Sequence, residues 1–285
     1  MTILVTGSKG QLGNELQVLS KNYSQHNWIF NDVDELNIAD STAVKNFFTE
    51  NKIDVCINAA AYTAVDKAET EKEICFLVNE TAVKNLAIVC EENSALFFHV
   101  STDFIFDGKK SSPYLEDDKP NPLGVYGASK LAGEKAALEN CKRTILIRTS
   151  WVYSSFGKNF VKTMLQLAET KPSLGIVFDQ MGTPTYAADL AQVIISIMKK
   201  NPTEKQFGVY HFSNEGAISW FDFAKSIFEI RGIKIPVSPI ETWQYPTPAT
   251  RPFYSVLNKK KIKDTFGIEI PYWKNSLEDC MKLIS

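Results

Sequence analysis

The chain has 285 residues, enough for a large core and two subdomains, with 44% hydrophobic and 22% charged residues and a formal net charge of −2, the balance of an ordinary soluble globular protein. The basic residues are scattered, with Lys259-Lys260-Lys261 the densest run, so no nucleic-acid footprint is visible, and no apolar run approaches the length of a membrane span. The five cysteines, Cys56, Cys75, Cys90, Cys141 and Cys280, include no Cys-x-x-Cys pair, which argues against a disulfide framework or a zinc site and, with no signal pattern after Met1, for a cytoplasmic protein.

In chain order, Ile3-Leu4-Val5 reads as a buried strand ended by glycine, and Leu12, Leu16 and Leu19 give Gln11 to Leu19 helical spacing. Trp28-Ile29-Phe30 is a second strand. Ala43 to Thr49 is a helix capped by Asp40 or Ser41. A strand at 54–58, a long helix at about 73–92, a strand at 96–101, a helix at 126–140 and a strand at 144–149 follow. Strands alternating with helices imply parallel βαβ units and a doubly wound, Rossmann-like α/β sheet. After Trp151 proline and aromatic residues become frequent, with helices at 160–170, 187–199 and 220–230. Residues 1–150 are expected to form a nucleotide-binding domain, completed by about 186–212. Residues 151–185 and 213–285 are expected to form a smaller C-terminal substrate lobe.

Four motifs carry chemistry. Gly7, Gly10 and Gly13 in Thr6-Gly7-Ser8-Lys9-Gly10-Gln11-Leu12-Gly13 follow the first strand and open the first helix. Gly7 permits the tight turn, Gly10 lets the backbone approach a pyrophosphate, and Gly13 allows close helix–sheet packing; the helix N-terminus favours the anion. Asp32 lies about twenty residues further on, where an acid can bind the adenosine ribose hydroxyls. It is equally readable as a turn aspartate, and Lys9 could instead receive a 2′-phosphate. Asn58-Ala59-Ala60-Ala61-Tyr62-Thr63 supplies a cofactor floor. Ser101-Thr102-Asp103 ends a strand at the carboxyl edge of the sheet, where parallel sheets bind ligands. Tyr126 and Lys130 share a helix face, and none of the other nine tyrosines has a lysine four residues on. A phenol is a poor acid near neutrality, and an adjacent ammonium lowers its pKa. Asn79, mid-helix, suggests either a buried hydrogen-bonding role or surface exposure. The three histidines are dispersed, without metal-ligand spacing. Clamp, floor, hydroxyl and Tyr/Lys pair together are the parts of a nicotinamide-dependent carbonyl reductase. Trp151, just past a strand end, offers a face for a sugar or a base, or packs the hinge between lobes.

At these residues the chain resembles the extended short-chain dehydrogenase/reductase family nearly end to end. The supporting segments are Gly10 to Gly13, Asn58 to Glu69, Ser101 to Asp103, Pro122 to Glu134, Arg148 to Tyr153, Asn159 to Met164, Asp179 to Thr185 and Pro246 to Pro252. The resemblance implies NADPH or NADH as cofactor. Gly10, Gln11 and Leu12 would hold the pyrophosphate, and Asp32 with Asn37-Ile38 would border the adenosine. Ala61, Tyr62 and Thr63 would line the floor, and Val100 would lie beneath the nicotinamide. Tyr126 would be the proton donor, with Lys130 its partner and Thr102 tuning it. Thr102, Asp103 and Trp151 would meet the sugar nucleotide, and Arg251 its diphosphate. Asn37 stands where many relatives carry aspartate. Glu15 matches one glutamate of relatives that bind magnesium between subunits, but Ala188 occupies another such position, so magnesium and a homodimer stay open. The implied reaction is reduction of the C4 ketone of a dTDP-linked deoxysugar, which would supply cell-surface polysaccharide. A different nucleotide-sugar reductase or an epimerase of the family, or a regulatory subunit that kept only the fold, are the rival readings.

Overall fold

The structure, a computed structural model, describes residues 1–284. Six strands form one parallel sheet: β1 (Thr2–Thr6), β2 (Asn27–Asn31), β3 (Val55–Asn58), β4 (Leu96–Thr102), β5 (Thr144–Thr149) and β6 (Gly208–His211). Their order is β2-β1-β3-β4-β5-β6. The chain steps from β1 outward to β2 and then crosses to β3 on the other side. The crevice at the carboxyl ends of β1 and β3 is therefore the switch point at which such sheets bind ligands.

Side chains alternate across this sheet, and helices cover both faces, so the strands are apolar throughout. On one face Ile3, Val5, Ile57, Phe98 and Ile147 pack with α1 (Gln11–Ser20) and, further along the chain, Ala187–Lys199. On the other, Leu4, Cys56 and Phe97 pack with α2 (Ser41–Asn51), α3 (Ala82–Glu92) and Ala137 of α4 (Val125–Asn140). Asp40 caps α2 by accepting from the amides of Thr42 and Ala43, the first of the two caps that the sequence offered. The helix expected at 73–92 is present, running from Lys72 to Glu92, but it is not α-helical throughout. A short helix, Lys72–Phe76, passes through a π-helical turn, Leu77–Thr81, into α3. The turn carries the backbone carbonyl of Asn79 against Gly133 of α4, where a Cβ would lie 2.0 Å from that oxygen.

A separate apolar cluster lies in the second half of the chain. It joins α5 (Phe160–Thr170), α7 (Trp220–Arg231) and α8 (Trp273–Lys282), whereas α6 (Ala187–Lys199) belongs mainly to the large sheet. Three two-stranded pairings brace this part: Leu174–Val177 with Val237–Ile240, Met181–Gly182 with Ile218–Ser219, and Val152–Tyr153 with Thr185–Tyr186. All five cysteines are buried and free. Among the described residues no helix is long and apolar enough to cross a membrane.

Candidate active site

The glycine loop lies at the switch point. Gly7 has φ +69°, and a Cβ there would sit 2.5 Å from the amide of Ala60, so the turn after β1 runs hard against the loop after β3. A Cβ on Gly13 would sit 2.4 Å from the carbonyl of Gly7. No side chain caps α1, which leaves its first amides free for an anion. Gly7, Gly10, Asp32, Asn37, Ile38 and Ala61 line one cavity of about 410 Å³, a groove whose shape and free donors fit a dinucleotide. Asp32 already serves the loop: its carboxylate accepts from the amides of Lys9 and Val33, both at 2.9 Å. The Lys9 ammonium is paired with Asp34 at 2.8 Å and Glu35 at 3.3 Å. Gln11 donates to Val152 O and accepts from Asn159, so it ties the loop to the second half of the chain. Leu12 is buried beneath, in the sheet core.

The floor and the Tyr/Lys helix are joined through Asn79, which is fully buried. It accepts from the Tyr62 amide at 2.9 Å and donates to Tyr62 O and to Ser129 Oγ, each at 3.0 Å. Ser129 lies between Tyr126 and Lys130 on α4 and donates to Tyr126 O at 2.8 Å. Glu69 accepts from the Val125 amide at 2.8 Å, placing a carboxylate at the N-terminus of α4. The Tyr62 phenol donates to Glu71 at 2.5 Å, which pushes it up to about 12. Thr63 stands between this floor and the short helix Val65–Ala68.

Tyr126, Lys130, Thr102 and Asp103 converge at the carboxyl end of β4. The Lys130 ammonium donates to Val100 O at 2.7 Å, and burial brings it down to about 8. Burial pushes the Tyr126 phenol above its ordinary value, and the adjacent Thr102 hydroxyl opposes that rise. Lys130 is expected to lower the phenol; burial instead raises it, so the phenol holds its proton at neutral pH. Phe104 packs edge-on against the Tyr126 ring, 5.6 Å between centroids. Thr102 Oγ1 accepts from the Phe104 amide and donates to Asp103 Oδ1 at 3.1 Å. Asp103 is buried, pushed up to about 6, and its Oδ2 lacks a partner. The Ser101 hydroxyl beside it is likewise unpartnered.

Trp151 has φ +48°, a costly conformation for a bulky residue. Its indole stacks on Trp220 with centroids 3.5 Å apart, and its edge crosses Gly182, where a Cβ would lie 2.6 Å from the ring. One face of the indole is thus taken by protein. A second cavity, of about 440 Å³, is lined by Phe160, Ile176, Gln180, Trp220, Tyr245 and Arg251, among others. Arg251 forms a two-pronged pair with Asp66, at 3.1 and 2.9 Å. The Asp66 carboxyl is held below its usual range by that guanidinium. From Arg251 the strap at 246–255 runs on to Ser255, whose hydroxyl lies near enough to Asp103 to oppose the rise of its carboxyl. One segment therefore connects the apolar cavity, the helix after the floor and the Tyr126 cluster.

The sequence reading omitted Asp66, Glu69 and Ser255. The first two lie within Asn58 to Glu69, a segment already singled out. Ser255 had no signal, because only the fold brings it to Asp103. Glu15 is buried, its carboxyl raised by burial and bonded to Ser154 Oγ at 2.6 Å. Among the described residues no group of three or more His, Cys, Asp and Glu side chains could hold a metal ion.

A glycine turn at the switch point of a parallel sheet, beside a Tyr-x-x-x-Lys helix at the end of β4, is the site of a Rossmann-type NAD(P)-dependent oxidoreductase. The comparisons with known proteins agree and narrow this class. The family model described as RmlD substrate binding domain matches residues 1–285. A dTDP-4-dehydrorhamnose reductase of Aggregatibacter actinomycetemcomitans is 41% identical, over 97% of each chain. The crystal structure of a dTDP-4-dehydrorhamnose reductase from Clostridium acetobutylicum superposes with TM-score 0.95 at 40% identity, covering 99% of both chains. That of a Bacillus anthracis dTDP-4-dehydrorhamnose reductase in complex with NADP gives TM-score 0.94 at 35% identity, over 99% of this chain and 98% of the other. The chain belongs to the dTDP-4-dehydrorhamnose reductase family of extended short-chain dehydrogenases/reductases.

Proposed function

We propose that this chain reduces the C4 ketone of dTDP-4-dehydro-L-rhamnose to give dTDP-L-rhamnose, with NADPH or NADH as cofactor. The observation that carries this reading is the cluster at the end of β4: a protonated phenol beside a hydroxyl, with a buried ammonium one turn further along the same helix. A nicotinamide bound in the glycine groove would supply the hydride. Gly10, Gln11 and Leu12 would hold the pyrophosphate, with Gly7 making the turn, and Asp32, Asn37 and Ile38 would border the adenosine. Tyr126 would give its proton to the carbonyl oxygen as negative charge develops there. Thr102 would hydrogen-bond that phenol, and the ammonium of Lys130 would favour the phenolate left behind. Thr102, Asp103 and the exposed part of Trp151 would meet the sugar, and Arg251 the diphosphate. A cytoplasmic location and a homodimer are the matching expectations, to be read by fractionation and light scattering.

The test is to incubate the protein with the 4-keto sugar nucleotide and NADH or NADPH separately, follow cofactor absorbance, and identify the sugar by NMR. Tyr126→Phe keeps the ring against Phe104 and should lower turnover by about 10²–10⁴-fold. Near-normal turnover in that variant, with chemistry rate-limiting, would remove Tyr126 as the acid. A product of other stereochemistry would move the enzyme to another nucleotide-sugar reductase or epimerase.

A further inference from the structure

One turn beyond Lys130 on α4 stands Glu134. Lys130 and Glu134 are both 2% exposed. The Glu134 carboxylate forms a fork with Arg148 of β5: Nε donates to Oε1 at 2.9 Å and Nη2 to Oε2 at 2.8 Å. Arg148 spends its remaining donor, Nη1, on Glu116 O at 3.0 Å and His211 Nε2 at 3.3 Å. Burial and the guanidinium bring His211 down to about 3, so the ring is neutral. Its Nε2 then accepts from Arg148 and its Nδ1–H donates to Tyr114 O at 3.2 Å. The Phe106 ring lies 5.4 Å from the guanidinium carbon.

This arrangement is more than a packed ion pair. Arg148 pairs in register with Ser101, next to Val100, the residue that receives Lys130. Helix α4 is thus pinned to β4 through Lys130 and to β5 through Glu134, one turn apart. Two such pins fix how the helix is rotated and hence where Tyr126 points. A buried pair of this kind contributes little net stability compared with well-packed apolar residues, so its value must be sought in what it positions. The other titratable groups around Lys130 are Tyr126 on its own helix, Cys75 on Lys72–Phe76, His99 on β4 and Asp103 after it. His99 is a buried imidazole held neutral, and Glu134 is the carboxylate whose charge favours the ammonium.

We propose that Glu134, braced by Arg148, is a positioning residue for the reaction: its carboxylate keeps Lys130 cationic and sets the rotation of α4 that aims Tyr126. This rests on the functional reading above for its consequence, although the charge of Lys130 can be read without it.

The test uses three full-length proteins: the parent, Glu134→Gln, and the double variant Glu134→Met/Arg148→Met, which removes both charges and keeps the volume. Lysine labelled with ¹³C at Cε is titrated by NMR without cofactor, with the Lys130 signal identified by its loss in Lys130→Met. Removing an anion disfavours the ammonium, so the Lys130 midpoint should fall. The expected fall is about one pH unit in Glu134→Gln, where Arg148 is left unbalanced, and less in the double variant. The basic limb of the pH–rate profile should move down in the same order. An unchanged Lys130 midpoint in the folded double variant, with a parent-like profile, would reduce the bridge to packing and overturn the proposal. If the parent itself fails to turn over the keto sugar nucleotide, the functional reading fails, while the NMR midpoints still judge Glu134.

Discussion

Asp103 shows how a single side chain can work against the fold that holds it. Its carboxyl is buried, one oxygen accepts from Thr102 and the other has no partner, and burial pushes it up to about 6. A carboxyl raised in the folded state binds more protons there than in the unfolded chain between about pH 4 and 6. Its stabilising contribution is therefore full below pH 4 and is lost as the pH rises through 6. Asp103→Asn should match the parent at pH 4 and exceed it by about 3 kcal/mol at pH 7 to 8, measured by denaturant midpoints across that range. A variant less stable than the parent at pH 7 would show that the carboxylate is well solvated. The sequence displayed Asp103 at a strand end, and the position alone suggested ligand contact. Its burial was not legible, because Ser255 and the empty side of the carboxylate are brought together only by tertiary structure. Lys130 shows the same limit: its spacing from Tyr126 was plain, but the burial that raises the phenol was not.

At the scale of elements, local pattern read the six strands of the large sheet well, since each is a short apolar run between glycines, polar turns and helices, but not the short strands of the second half. It did not show where a helix departs from its period. The stretch 73–92 has continuous helical spacing, yet the π-helical turn at Leu77–Thr81 interrupts it. The extra residue of that turn lets Asn79 face Tyr62 and Ser129 together, a demand made by partners on two other segments. A second element depends on a contact invisible in sequence. The strand Met181–Gly182 passes beneath the Trp151 indole with no room for a methyl group. Gly182→Ala should displace the ring from Trp220 and cost about 1–3 kcal/mol. Thermal melting reads the loss, and tryptophan emission reads the broken stack. An unchanged melt and spectrum would mean that the indole yields freely, in which case it is better regarded as a movable surface than as a fixed wall.

For the whole molecule, the contact that matters most is the clasp between Asp66 and the strap that carries Arg251. Carboxylate and diphosphate would compete for one guanidinium. Arg251→Met should raise KM for the sugar nucleotide by about 10–100-fold, the worth of a charge-assisted contact, with cofactor affinity kept. Asp66→Asn frees the same guanidinium and should move KM the other way. If both substitutions raise KM equally, Arg251 serves only to tie the strap down. The α/β class was legible from the alternation of strands and helices. The second cavity was not, because its walls come from α5, the strand at 174–177 and the strap, none of which has a pattern pointing at the others. The clasp also has a consequence in time. Asp66 meets Arg251 across 185 residues of chain, and contacts of such separation form late because the intervening chain must close first. On the ribosome the N-terminal strands and the glycine loop emerge long before the strap. A growing chain can therefore assemble its nucleotide groove while Asp66 and Asp103 still wait for their partners. Competence for the sugar arrives last, when the strap leaves the exit tunnel and closes over a half that has already folded.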